Sequence, residues 1–189
     1  MSDLRQLLQR CLAGEEEGAR EFVARFQQPV FGLCYRMLGH FQDAEDVTQD
    51  ALLRALRHLS RWDQSRPFRP WLMAIAANRC RTALDGRRRR PHPTAETVDT
   101  AVAPPEPTGD LGEELQLALE SVRDELRCCF VLFYQDGMSC AEISEAMNVP
   151  EGTVKTWLHR TRRQLAERLR QRGIVPETTH ELPGLSSTR

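Results

Sequence analysis

Apolar positions in this chain recur three and four residues apart, and no stretch alternates convincingly as a strand would. "LRQLLQRCLAG" carries such a stripe and ends on Gly14. "AREFVARFQQPVFGLCYRMLG" continues it through Phe22, Phe26, Leu33 and Met37 and stops at Gly39, with Pro29 expected to kink or divide the helix. "DAEDVTQDALLRALRHL" opens on acids, which suit the positive end of a helix. Its stripe is Val47, Ala51, Ala55 and Leu59, which turns Asp46, Gln49, Asp50 and Arg54 outward. A turn-rich loop, "SRWDQSRPFRP", leads to a fourth helix from Trp71 to Leu84 that runs into Arg87–Arg90. Four helices within residues 1–90 suffice for a small core.

The pattern resumes after residue 113. "LQLALESVRDELRCCFVLFY" predicts one long amphipathic helix. Ser139 and Glu142 then stand three apart, the spacing at which each side chain satisfies the other's free backbone donor. The helix they open is short, buries Ile143 and Met147, and can end on Asn148 in the left-handed conformation. Pro150 is placed to begin a longer helix. On that helix Val154, Leu158, Thr161, Leu165 and Leu169 share one side, while Lys155, Thr156, His159, Arg160, Arg162 and Arg163 spread over the other. A capped helix, a tight turn and a basic helix make a helix-turn-helix, whose second helix lies in a DNA major groove. The expected fold is all-α: two small helical domains, over 1–90 and 113–172.

Between them, residues 91–112 hold five prolines and no basic residue, leaving nothing to build a core. They read as a flexible acidic linker, and 173–189 as a tail without assigned structure. Charge sharpens the picture. The whole chain balances at 26 Lys plus Arg against 27 Asp plus Glu. Residues 1–90 nevertheless carry a net +5, residues 91–113 a net −5, and residues 153–172 hold seven bases against Glu167 alone. Segregation of this kind suits localised polyanion contacts. Every basic residue but Lys155 is Arg, the better fork for phosphates and guanine edges.

Composition excludes several classes. The six cysteines (11, 34, 80, 128, 129 and 140) show no Cys-x-x-Cys pair and no His at ligand spacing, so no metal site or cofactor is expected. The longest apolar run, "LMAIAA", is far short of a membrane span, and the amphipathic N-terminus is too polar for a signal peptide. A cytoplasmic protein with reduced thiols is the expectation. No Gly-rich phosphate loop, nucleophile elbow or carboxylate-paired His suggests an enzyme.

"DGMSCAEISEAMNVPEGTVKTWLHRTRRQLAERL" resembles region 4 of bacterial RNA polymerase sigma factors. "DAEDVTQDALLRALRHLSRWD" resembles their region 2.2, and "FRPWLMAIAANRCRTALDGRRRR" their regions 2.3 and 2.4. With only these two domains and a short linker, the chain is similar to the extracytoplasmic-function, or group IV, sigma factors over residues 4–172. The resemblance implies a cytoplasmic, non-enzymatic transcription factor. Its partners would be the β and β′ subunits of core RNA polymerase, promoter DNA and, as for many family members, an anti-sigma factor. It implies that Asp43, Asp46, Gln49, Asp50 and Arg54 dock on the β′ clamp helices. Trp62, Phe68 and Trp71 would offer aromatic faces to flipped bases of the −10 element, with Asn78 reading a base edge. Arg79, Arg81, Arg87 and Arg88 would neutralise phosphates there. Trp62 and Phe68, in the loop, are expected at the surface, whereas Trp71 suits the core equally well. At the −35 element, Lys155, Thr156, His159 and Arg160 would read bases and Arg162 and Arg163 hold phosphates. Where many relatives carry Arg, this chain has Trp157, on the border between the apolar stripe and the basic arc.

Magnitude argues for a larger partner. Opening about ten base steps at roughly 1.4 kcal/mol each costs on the order of 14 kcal/mol, and a few stacked bases at about 1–3 kcal/mol each cannot offset it. The rival reading is an autonomous regulator, since "GTVKTWLHRTRRQL" also resembles the recognition helix of two-component and quorum-sensing regulators. Residues 1–90 show none of the βα alternation or phospho-acceptor pocket such a protein would carry.

Overall fold

The computed structural model describes residues 2–89 and 111–174, and every regular element among them is helical. The expected linker over 91–112 and tail over 173–189 lie almost wholly outside the described residues.

In the first half α1 (Ser2–Leu12) turns at Gly14, where φ is +79°, into α2 (Glu16–Leu38). The expected break at Pro29 does not occur: α2 runs as one helix through that residue. Its stripe of Phe22, Phe26, Val30, Leu33, Cys34 and Met37 is buried along the whole length, so tertiary packing outweighs the one lost backbone bond. Gly39, at φ +70°, caps α2 by donating its N–H to the Tyr35 carbonyl at 2.8 Å, and α3 (Phe41–Arg57) follows. A single 3-10 turn, Leu59–Arg61, and a loop lead to α4 (Phe68–Arg89). The small buried residues Ala44, Ala51 and Ala55 of α3, with Ala76 and Ala77 of α4, are those of tightly approaching helices.

The second half corrects one expectation. The segment 115–134 is two helices, α5 (Leu111–Glu120) and α6 (Asp124–Tyr134). At the break Ser121 Oγ donates to the Ala118 carbonyl at 2.6 Å, and Arg123 takes an extended ψ of 144°. Asp124 and Glu125 then supply the acidic first turn of α6. The capping box opens α7 (Cys140–Met147): Ser139 Oγ accepts from the Glu142 N–H at 3.2 Å, and Glu142 Oε2 accepts from the Ser139 N–H at 2.8 Å. Asn148 ends α7 at φ +54°, and α8 (Glu151–Gln171) begins after Pro150.

Val154, Leu158, Thr161 and Leu165 form the buried side of α8, with Leu169 half-buried behind them. Thr161, the polar member, donates to the Trp157 carbonyl at 2.9 Å, so its burial leaves no donor unmet. The far end of α8 is tied back by Arg172, whose guanidinium forks onto the fully buried Glu114 carboxylate of α5, one arm at 2.9 Å.

The two halves are not separate bodies. α6 packs on α2 and α4, α7 on α4, and α5 on α2. One apolar core runs from Phe22 and Leu72 through Cys128, Val131 and Leu132 to Ile143 and Val154. A smaller cluster of Leu119, Val122, Leu126 and Leu165 belongs to the second half alone.

Candidate nucleic-acid interface

Three surfaces carry the chemistry the sequence singles out. The first is the outer face of α8. Lys155, Thr156, His159, Arg160 and Arg163 are all exposed, and Arg162 is half-buried with its Nε donating to the Leu158 carbonyl at 3.3 Å. Two side chains are partly engaged: the Lys155 ammonium meets Glu151 at 2.8 Å, and Thr156 Oγ1 donates to the Gly152 carbonyl at 2.8 Å. His159, Arg160 and Arg163 therefore carry the freest chemistry on this face. Trp157 packs inward, touching both apolar clusters. Past Arg163 the basic face continues to Arg170, around a shallow depression beside Ser121. Arg168 and Arg170 follow from the same helical spacing, but the motif ends before them.

The second surface is the exposed side of α4 with the loop before it. Here one assignment fails. Phe68 is 4% exposed, wedged among the rings of Phe22, Phe26, Trp62 and Trp71 at centroid distances of 5.2–5.9 Å. It is the first residue of α4 rather than part of the loop, so its ring enters the core and presents no face to a base. Trp62 and Trp71 are half-buried and border a crevice of about 340 Å³ with Arg66, Pro67, Pro70 and Ala74. The Trp62 indole N–H is buried there and has no acceptor among the described residues. Asn78 is exposed; its Oδ1 accepts from Arg81 at 3.4 Å, and its Nδ2 donates to the Ala146 carbonyl at 3.5 Å.

Sequence reasoning passed over Arg66 and Arg69. Each precedes a proline, Arg66-Pro67 in the loop and Arg69-Pro70 in the first turn of α4, and that cationic pairing was the available signal. Arg66 reaches Glu145 at 2.5 Å and Arg69 reaches Asp136 at 3.2 Å, both acids of the second half. Arg88 likewise reaches Asp124 at 2.8 Å.

The third surface is the outer side of α3. Asp46, Gln49 and Arg54 are exposed as expected. Asp43 and Asp50 are half-buried and engaged: Asp43 pairs with Arg87 of α4, and Asp50 with Arg79 of α4 and with Arg54 at 3.3 Å. Arg79 and Arg87 thus brace α4 against α3. Beside Gln49 lies an apolar groove between α2 and α3, bordered by Phe31, Leu52, Phe41 and Leu53, the last two 60% and 50% exposed.

The thiols follow chemistry of another kind. All six cysteines are free, and burial pushes Cys128 and Cys129 up to about 12, which leaves them as unreactive core thiols. Among the described residues no group of three His, Cys, Asp or Glu side chains is arranged to hold a metal, and no helix is long and apolar enough to cross a membrane.

Residues 22–90 match the sigma-70 region 2 family, and residues 112–165 the sigma-70 region 4 family. The chain is 30% identical over 181 residues to the ECF RNA polymerase sigma factor SigW of Bacillus subtilis, covering 88% of this chain and 97% of that relative. It is 31% identical over 170 residues to the ECF RNA polymerase sigma-E factor of Escherichia coli, covering 82% and 88%. In fold it is similar to CnrH in complex with the cytosolic domain of CnrY, with a TM-score of 0.66 at 24% identity, covering 88% of this chain and 97% of that one. Both regions stand in the order that a helix-turn-helix after a four-helix core requires: this chain belongs to the extracytoplasmic-function sigma factors of the sigma-70 family, proteins that act in transcription initiation.

Proposed function

We propose that the chain binds core RNA polymerase through the outer side of α3, reads the −35 element with α8 and reads and opens the −10 element with α4. The observation that carries this reading is the capped α7, left-handed turn and α8, which together expose His159, Arg160 and Arg163 on one cationic face. Arg160 and His159 lie nearest the middle of that face and read base edges, with Lys155 and Thr156 flanking them. Arg163 takes phosphate, with Arg162 and Arg170 beside it.

On α4, Asn78 reads a base edge and Trp62 and Trp71 offer stacking surfaces. Arg66, Arg69 and Arg88 take phosphates, along with Arg81. Arg79 and Arg87 act indirectly, by bracing the helix against α3. On α3, Asp46, Gln49 and Arg54 form the polar part of the polymerase contact, and Phe41 and Leu53 its apolar part; Asp43 and Asp50 keep that face in place. The β and β′ subunits and promoter DNA are the partners, at work in the cytoplasm. The sigma factor RpoE is in complex with the anti-sigma factor NepR from Bartonella quintana in a structure of similar fold, and an anti-sigma factor is a third partner on that analogy.

Equilibrium binding of purified core polymerase without DNA tests the reading. The wild-type chain binds, and Asp46→Ala with Gln49→Ala weakens binding about tenfold or more, as for loss of contacts worth roughly 1.4 kcal/mol, with an unchanged helical circular dichroism spectrum. Operator binding by the chain alone, with no affinity for polymerase, would instead identify an autonomous regulator.

A further inference from the structure

His159 stands exposed in the middle of the α8 face, and among the described residues its ring makes no hydrogen bond or ion pair. One helical turn before it are Lys155 and Thr156, one turn after it Arg162 and Arg163, and Arg160 follows it directly. The two acids of α8 lie about two turns away and are turned to other partners. Glu151 meets Lys155 at 2.8 Å, and Glu167 meets Arg170 at 3.5 Å and Gln171 at 3.2 Å. The helices packed on α8 are α5, α6 and α7. Their acids are likewise engaged elsewhere: Glu114 with Arg172, Glu120 with Gln116, Asp124 with Arg127, Glu142 with Ser139 and Glu145 with Arg66. Glu113, Glu125 and the Cys140 thiol have no contact with the ring. An imidazole gains and loses its proton within the physiological range. With no carboxylate of the chain against it, the charge of this one is left to whatever binds α8.

The two protonation states offer DNA different chemistry. A neutral imidazole keeps one N–H and one acceptor nitrogen, whereas the imidazolium donates from both nitrogens and carries a full positive charge. Phosphate oxygens accept only, and so do the N7 and O6 atoms of guanine in the major groove. The protonated ring therefore matches that surface at either nitrogen, and the neutral ring at one alone. We propose that α8 takes up a proton at His159 when it binds DNA, so that its affinity for DNA rises as pH falls through the imidazole range. The inference rests on the assignment of α8 to DNA contact, and adds that one cation of that face is conditional.

The direction follows from linkage. The DNA-bound state holds the proton more tightly than the free state, so binding is tightest where the ring is already charged and weakens as pH rises. Arginine keeps its charge throughout this range, so Arg160, Arg162 and Arg163 supply a constant attraction and His159 a variable one. The change is one charge at most, which sets its size against salt: one further neutralised phosphate steepens the salt slope by about 0.9. His40 and His58 flank α3, on another of the three surfaces, and add nothing to this face.

The test uses the full chain and a fluorescent twenty-base-pair duplex of mixed sequence. Affinity is read by anisotropy from about pH 5.5 to about pH 8, either side of the imidazole range, at each of several salt concentrations. The wild type should bind about fivefold tighter or more at the acidic end, the margin between a charged and a neutral donor. Its salt slope should be about 0.9 steeper there. His159→Gln, neutral with a donor and an acceptor, should show neither change and hold the affinity of the wild type at the basic end. His159→Arg, charged throughout, should hold the tighter affinity across the range. Arg163→Ala should weaken binding at every pH and keep the dependence on pH. A wild-type affinity that is flat in pH, with Arg163→Ala still weaker, overturns the proposal and leaves α8 as the DNA face. A dependence on pH that His159→Gln retains also overturns it, because the proton then binds elsewhere. Arg163→Ala without effect overturns the proposal together with the assignment on which it rests.

Discussion

The outer face of α8 and the exposed side of α4 carry the same chemistry in opposite settings. Both present arginines beside polar groups suited to a base edge, His159 among them on α8 and Asn78 on α4. On α8 the cations face solvent, and Lys155 is neutralised only by Glu151 of its own helix. On α4 and the loop before it Arg66, Arg69 and Arg88 are all paired with acids from the other half of the chain. A duplex major groove can be met by a rigid, ready surface, and α8 is built that way. On the proposed roles the −10 element must be opened before it is read, and the arginines for that task are engaged by acids of the same chain. What separates the two faces is access rather than composition.

The largest expected effect breaks the symmetry between the aromatic residues around α4. Phe68→Ala removes a fully packed ring and should cost about 3–5 kcal/mol of stability, read by urea unfolding. Trp62→Ala, from the half-buried crevice, should cost distinctly less and act mainly on permanganate-reactive thymines in the open complex. A Phe68→Ala variant as stable as wild type would return that ring to the surface.

Next in size is the contrast between neighbours on α8. Arg160→Ala should lose about 1–3 kcal/mol against one base pair of the −35 element and relax the preference there. Arg163→Ala should weaken all duplexes alike and make the salt slope about 0.9 shallower. Affinities for variant duplexes at several salt concentrations separate the two. The reverse assignment would mean that α8 is rotated in its groove relative to this reading.

A smaller change reaches both faces at once. Ser139→Ala removes the cap of α7, the helix that covers α4 and braces α8, and should cost about 1 kcal/mol in thermal or urea unfolding. No loss would mean that Glu142 and packing alone hold the helix start.

The least effect is one of pH. Burial pushes the Asp136 carboxyl above the ordinary carboxylate range, against the opposing pull of Arg69. A group raised in the folded protein favours folding when protonated. That contribution is fully present below the ordinary carboxylate value and is lost as pH rises through the raised value. Urea unfolding across this window should show the wild type losing a little stability with rising pH and Asp136→Asn showing no such step.

Much of this was legible in sequence, for local reasons. The Ser139–Glu142 box, the left-handed Asn148 and the apolar side of α8 follow from side chains acting within a few residues of themselves. Those features also fix which α8 residues point outward. The failures share a different cause. Pro29 stays within α2, and Phe68 turns inward, because distant helices pack against them, and no local spacing reports that packing. The break at Ser121 was hidden because the apolar spacing runs on across it. The pairing of Asp43 and Asp50 with Arg87 and Arg79 and the cover of α7 over α4 depend on how helices far apart in sequence meet. Charge pattern marked the cationic side of α4, yet it could not show that its counter-charge comes from the same chain.

The most direct test is start-site mapping with purified core RNA polymerase on genomic DNA of the source organism, with and without this chain. The chain should create starts absent from core alone, sharing one motif near −35 and another near −10. Arg160→Ala should relax one position of the first motif, and Asn78→Ala one position of the second. No new starts, or starts lacking any shared upstream motif, would contradict promoter-directed initiation by these two surfaces.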